Sequence, residues 1–79
     1  MYFVYAIKSI KDGRIYVGLS SNIERRISEH NSGYVFSTKG FKPWKLIYKE
    51  EAINRKVARI RKKYFKSGFG KELLKSIPL

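Results

Sequence analysis

Hydrophobic and polar positions change period several times along the chain, and each change marks an element. Tyr2-Phe-Val-Tyr-Ala-Ile-Lys-Ser9 and Arg14-Ile-Tyr-Val-Gly-Leu-Ser20 are rich in aromatic and branched residues, and each predicts a strand. Between them Lys11-Asp12-Gly13 predicts a tight turn, because a primed turn needs a positive φ that glycine adopts without strain. The two strands therefore form a hairpin. Ser21-Asn-Ile-Glu24 has the spacing of a capping box and predicts a helix from about residue 22, ending at Asn31-Ser-Gly33 where glycine can turn left-handed. Ile23 and Ile27 face the core from this helix. Arg26 and His30, also one turn apart, lie alongside at the margin of that face.

Residues 34–43 lack a period and hold glycine, proline, serine and threonine, which predicts a mobile loop. Trp44-Lys-Leu-Ile-Tyr-Lys-Glu50 alternates as a third strand. From Ile53 to Phe65 the period is helical, with Ile53, Val57, Ile60 and Tyr64 as an apolar stripe, widened by Ala58 and Phe65, expected to face the core. Arg55, Lys56, Arg59, Lys62, Lys63 and Lys66 occupy the opposite face. Ser67-Gly68 ends that helix, and Gly70–Ile77 predicts a short last one stopped by Pro78. The order strand, strand, helix, strand, helix, helix gives a small α/β (α+β) domain, a three-stranded sheet with flanking helices. Residues 1–79 form one domain, since a chain this short cannot be divided without losing its core.

Composition narrows the function classes. Apolar residues at 43% suffice for a packed core, and the absence of cysteine excludes disulfides, thiolate nucleophiles and cysteine-type zinc sites, which fits a reducing compartment. The apolar run Tyr2–Ile7 is too short for a signal-peptide core or a bilayer span, so a cytoplasmic location is expected. A net charge of +12 calls for a polyanionic partner, with nucleic acid foremost. A membrane surface is the weaker polyanion, because no helix is expected to offer a broad bare apolar face. Oligomeric state is left open. Tyr16 to His30 gathers a tyrosine, a glycine, an arginine and the sole histidine, and this segment is the expected seat of any chemistry.

These residues resemble the small single-domain members of the GIY-YIG nuclease superfamily. Phe3-Val4-Tyr5 stands where the family usually has Gly-Ile-Tyr, and Tyr16-Val17-Gly18 is the second motif. Asn22–Gly33, Ser37-Thr-Lys, Pro43-Trp44-Lys-Leu-Ile-Tyr and Lys66-Ser67-Gly68 follow in the family's order. The resemblance implies hydrolysis of phosphodiester bonds in DNA with one divalent metal, Mg or Mn, held by a glutamate. It implies Tyr16 as leading candidate for general base with Tyr5 beside it on the paired strand, Arg26 on the scissile phosphate, and His30 positioning water or touching phosphate. A free phenol ionises only near pH 10, so such a base needs neighbouring positive charge. Gly18 lets substrate or a neighbouring backbone approach the strand end.

One position departs from the family. Where its small members carry the metal-binding glutamate, in a run of the form Ala-x-x-Arg-Glu, this chain reads Ala58-Arg-Ile-Arg-Lys62. An ammonium cannot coordinate a divalent cation. It can still attract a phosphate, so binding could outlast cutting. Two functions follow: an endonuclease with activity reduced or lost at Lys62, and a catalytically inactive nucleic-acid-binding domain using Arg55, Arg59, Lys62, Lys63 and Lys66 on the backbone. A third option is a module whose basic helix meets an acidic protein. Tyr34, Phe36 and Phe41 are candidates for stacking on bases or folding onto the core.

Overall fold

The computed structural model describes residues 1–77. Strands β1 (Tyr2–Ser9) and β2 (Ile15–Ser20) form the expected hairpin, followed by helix α1 (Ile23–Ser32), strand β3 (Trp44–Ala52), helix α2 (Arg55–Lys66) and helix α3 (Gly68–Lys75). The sheet is antiparallel in the order β2-β1-β3, so the most apolar strand occupies the centre. The hairpin connection is longer than a two-residue primed turn. It closes through Ser9 N–H to Arg14 C=O, and the Gly13 N–H reaches the Ser9 carbonyl with Gly13 at φ +83°.

Alternation along β1 divides the core between the two faces of the sheet. Val4, Ala6, Val17 and Ala52 pack with Ala58, Phe65 and Leu74 of α2 and α3. On the other face Tyr5, Ile7, Ile23 and Trp44 pack with Phe3, Tyr16, Ile27, Phe41 and Leu46. Register places Tyr5 opposite Gly18 and Ile7 opposite Tyr16, which brings both tyrosines to the α1 side.

Helix boundaries follow local chemistry that differs in part from expectation. The cap of α1 is Asn22, whose side chain accepts from the Arg25 N–H, and Ser21 takes no part in a capping box. Gly33 at φ +84° ends α1 as expected. The segment 34–43 contains a 3₁₀ turn, Lys39–Phe41, and is tied down. Ser9 Oγ donates to the Phe41 carbonyl at 2.6 Å and the Trp44 indole N–H donates to the Thr38 carbonyl at 2.9 Å. β3 runs two residues beyond the expected end, to Ala52. α3 begins at Gly68, earlier than expected, and Pro78, the expected stop, lies outside the described residues.

The largest correction concerns α2. Ala58 and Phe65 are the buried residues of this helix, while Ile53 is 81% exposed, Ile60 61%, and Val57 and Tyr64 are exposed as well. The stripe expected to face the core faces outward. At about 3.6 residues per turn the helix carries two apolar strips, and the shorter one wins because Ala58 lets the helix come close to the sheet while Phe65 fills the space against Tyr48. Lys62, expected on the solvent face, is half-buried beside that inner strip. The exposed stripe also removes the sequence-based expectation that no helix shows a bare apolar face.

Candidate phosphate-binding site

Tyr5 lies across Gly18. A Cβ at residue 18 would sit 2.5 Å from the Tyr5 hydroxyl oxygen and 2.6 Å from Cζ. The glycine of the second motif therefore accommodates a neighbouring phenol ring, where sequence had suggested a substrate or backbone. Tyr5 is buried, and its hydroxyl lies 2.8 Å from His30 Nε2. His30 Nδ1 lies 2.8 Å from Thr38 Oγ1, and the Thr38 hydroxyl donates to the Val35 carbonyl. Because that hydroxyl spends its proton on a carbonyl, it accepts from Nδ1–H, which leaves Nε2 to accept the Tyr5 proton. All four groups run in one direction, and every buried side-chain polar atom among the described residues has a partner.

Electrostatics agree with that polarity. Burial pushes the Tyr5 phenol up to about 12, with the Arg26 guanidinium opposing the rise and Tyr16 adding to it. Burial, helped by the positive charge of Arg26, pushes His30 down to about 4. The imidazole is neutral and 0% exposed, deeper than the helix margin expected of it, so direct contact with a phosphate is closed to it. Its depressed value fixes the sign of a pH effect. An unfolded chain takes up a proton near pH 6.5 and the folded one does not, so stability is full above that value and falls as pH drops toward about 4. Thermal melts should lose stability across that window, and His30→Gln should flatten the dependence while lowering the melting temperature at neutral pH.

Tyr16 differs from Tyr5. It is half-buried, stands edge-on to His30 at 5.0 Å and to Trp44 at 6.5 Å, and its hydroxyl makes no hydrogen bond among the described residues. Arg26 is half-exposed and donates from Nη1 to Glu29 at 2.9 Å, a bond that raises its already high value. Arg25 is more exposed and stands 3.9 Å from the other Glu29 oxygen. Lys62 of α2 is near enough for Arg26 to act on it: burial first, then the charges of Lys66 and Arg26, lower its ammonium value. Arg26, Lys62 and Lys66 thus share one electropositive region. Arg55, Arg59, Lys63 and Lys66 are all exposed on α2 and extend it.

The donor set does not fit a divalent cation. Among the described residues no group of three His, Cys, Asp or Glu side chains comes together, and Glu29 is engaged by Arg26. Glu50, on the far side of α2, is held by Arg61 through two hydrogen bonds and by the Tyr48 hydroxyl. Of the loop aromatics, Phe41 folds onto the core under the Arg14 guanidinium, whereas Tyr34 and Phe36 are exposed. Sequence reasoning missed Thr38 as a partner of the site. It also missed Asn31, whose amide brackets the Trp44 backbone, accepting from its N–H at 2.6 Å and donating to its carbonyl at 3.1 Å. Their polar character in a loop and at a helix end was the available signal.

Comparison with known proteins agrees with this architecture. The GIY-YIG catalytic domain pattern matches residues 1–75. A UPF0213 protein of Clostridium perfringens is 40% identical over 67 residues, covering 84% of this chain and 71% of that one. The structure-specific endonuclease subunit SLX1 of Homo sapiens is 31% identical over 65 residues, 77% of this chain but 24% of that protein. The solution structure of a UPF0213 protein from Bacillus halodurans superposes with a TM-score of 0.54 at 31% identity, covering 94% of this chain and 82% of that one.

Proposed function

The chain belongs to the GIY-YIG family, and from that membership we propose that it is a DNA-binding domain built on the family's endonuclease site, its metal-dependent hydrolysis lost at Lys62. The observation that carries this reading is that Lys62 of α2 lies close enough to the half-exposed Arg26 of α1 for the two charges to act on each other, while among the described residues no group of three metal-ligating side chains assembles. A guanidinium offers a planar fork to two phosphate oxygens, and an ammonium adds a compact charge that hydrogen-bonds without geometric demands. The unbonded Tyr16 hydroxyl can donate to the same phosphate. Tyr5 and His30 act behind it. Their bond fixes the ring beneath Tyr16, and neither reaches substrate.

Nucleases of this family generally use a divalent metal, which would have to be held here by a lysine. No hydrolytic step is therefore assigned to this site. What remains is an electrostatic grip on the backbone, with Arg55, Arg59, Lys63 and Lys66 continuing the cationic track along α2.

Fluorescence anisotropy with labelled duplex DNA tests the reading. Binding should weaken steeply with salt, and Arg26→Ala should reduce affinity about tenfold, the loss of one charge-assisted phosphate contact. Arg25→Ala, one residue away on a different face of α1 and only loosely paired with Glu29, should change it little. Binding indifferent to salt, or equal losses in both variants, would remove the proposal. The second reading, an active endonuclease, draws on the similarity to the human endonuclease subunit. It requires magnesium- or manganese-dependent nicking of supercoiled DNA by the unaltered chain.

A further inference from the structure

The phosphate site leaves unused the outward stripe of α2. Val57, Ile60 and Tyr64 follow one another at helical spacing on its exposed side, with Ile53 just before the helix. Tyr64 and the exposed Leu73 of α3 border a common cleft of about 370 Å³, so the stripe runs into a concave end. Contiguous exposed apolar surface on a chain this small marks a contact face. Counting about 100° per residue, this stripe lies roughly 160° around the helix from the strip holding Arg55, Arg59, Lys62 and Lys66. The two surfaces can be used together.

We infer that the outer face of α2 and the cleft beyond it form a docking site for an acidic amphipathic helix of a partner protein. Charge identifies the occupant. Lys56 and Lys63 line the stripe on one side, and α2 contains no acidic residue. A second copy would bring cation against cation on a chain of net charge +12. A nucleic acid has no apolar row to cover the stripe. An anionic bilayer is flat, whereas the cleft between Tyr64 and Leu73 accepts a single inserted side chain. A helix with an apolar row and a glutamate-bearing flank satisfies both the stripe and the lysines, and one large side chain of that row enters the cleft.

The test uses the whole chain, labelled with nitrogen-15, and a synthetic amphipathic helical peptide with a leucine row flanked by glutamates. Its control replaces the glutamates by lysines. The glutamate peptide should shift amide signals of residues 57–64 and 73, and the lysine peptide should leave them unmoved. Ile60→Ser and Lys56→Glu should each weaken the peptide about tenfold, a change of roughly 1.4 kcal/mol. Ile60 is exposed, so Ile60→Ser should preserve the melting temperature and DNA affinity, which separates this surface from the phosphate site. Absence of shifts, equal response to both peptides, binding of phosphatidylglycerol vesicles through the same residues, or self-association in sedimentation would each overturn the inference.

Discussion

Lys62→Glu is expected to raise divalent-metal-dependent nicking of supercoiled DNA at least about a hundredfold, a barrier change of roughly 2.7 kcal/mol. Metal catalysis routinely supplies several kcal/mol by stabilising developing charge on a phosphoryl oxygen, so the restored carboxylate has ample effect to deliver. The position is suited to the change because Lys62 is half-buried on the side of α2 that shares its field with Arg26. The same substitution should weaken metal-free DNA binding, since it removes two charge units from that region. Supercoiled plasmid with magnesium or manganese, scored for open circles, measures the first effect, and anisotropy in chelator measures the second. Unchanged nicking with unchanged binding would show that residue 62 does not face the phosphate.

Gly18→Ala is expected to lower stability by about 2–3 kcal/mol, the upper range for forcing an extra carbon into a packed site. For a domain of this size that is a fall of roughly 10 °C or more in melting temperature. The added methyl would meet the phenol ring of Tyr5 at 2.5 Å from its oxygen, and the ring cannot retreat without breaking its bond to His30. The diagnostic variant is the double one. In Tyr5→Ala with Gly18→Ala the clash disappears, so the pair should cost clearly less than the sum of the single changes. Strict additivity would mean that the two residues do not touch. DNA binding of the single Gly18 variant should also fall, because a displaced phenol loses its bond to His30, the ring against which Tyr16 stands.

Local signals carried most of the fold. The hairpin, the left-handed end of α1 at Gly33 and the start of β3 at Trp44 each depend on neighbours in sequence, and each is found where residue types place it. Helix α2 shows where such signals stop. Its hydrophobic period is satisfied by two phases, and only the sheet it lies on chooses between Ile60 and Ala58. A small residue contributes little to a hydropathy count yet decides how closely a helix can approach.

The candidate site divides in the same way. Tyr5, Tyr16 and Gly18 fall within two motifs that the pairing of β1 with β2 brings together, and Arg26 follows on the next helix. Thr38 and Asn31 lie in a loop and at a helix end, and their importance comes from partners at residues 30, 35 and 44 that no local pattern connects. Spacing set His30 at the margin of the core and the family resemblance gave it the positioning of water or a phosphate contact. Burial instead makes it the support of a phenol.

Trp44 gives this arrangement an optical consequence. It is the sole tryptophan, nearly fully buried, with its indole N–H on the Thr38 carbonyl and its ring edge 6.5 Å from Tyr16. Its emission therefore samples both the loop that orients His30 and the half-buried Tyr16 phenol. Ultraviolet excitation of the unlabelled protein should reveal occupancy of the neighbouring anion-binding surface as a change in intensity, while a red shift would signal that the loop has opened to water.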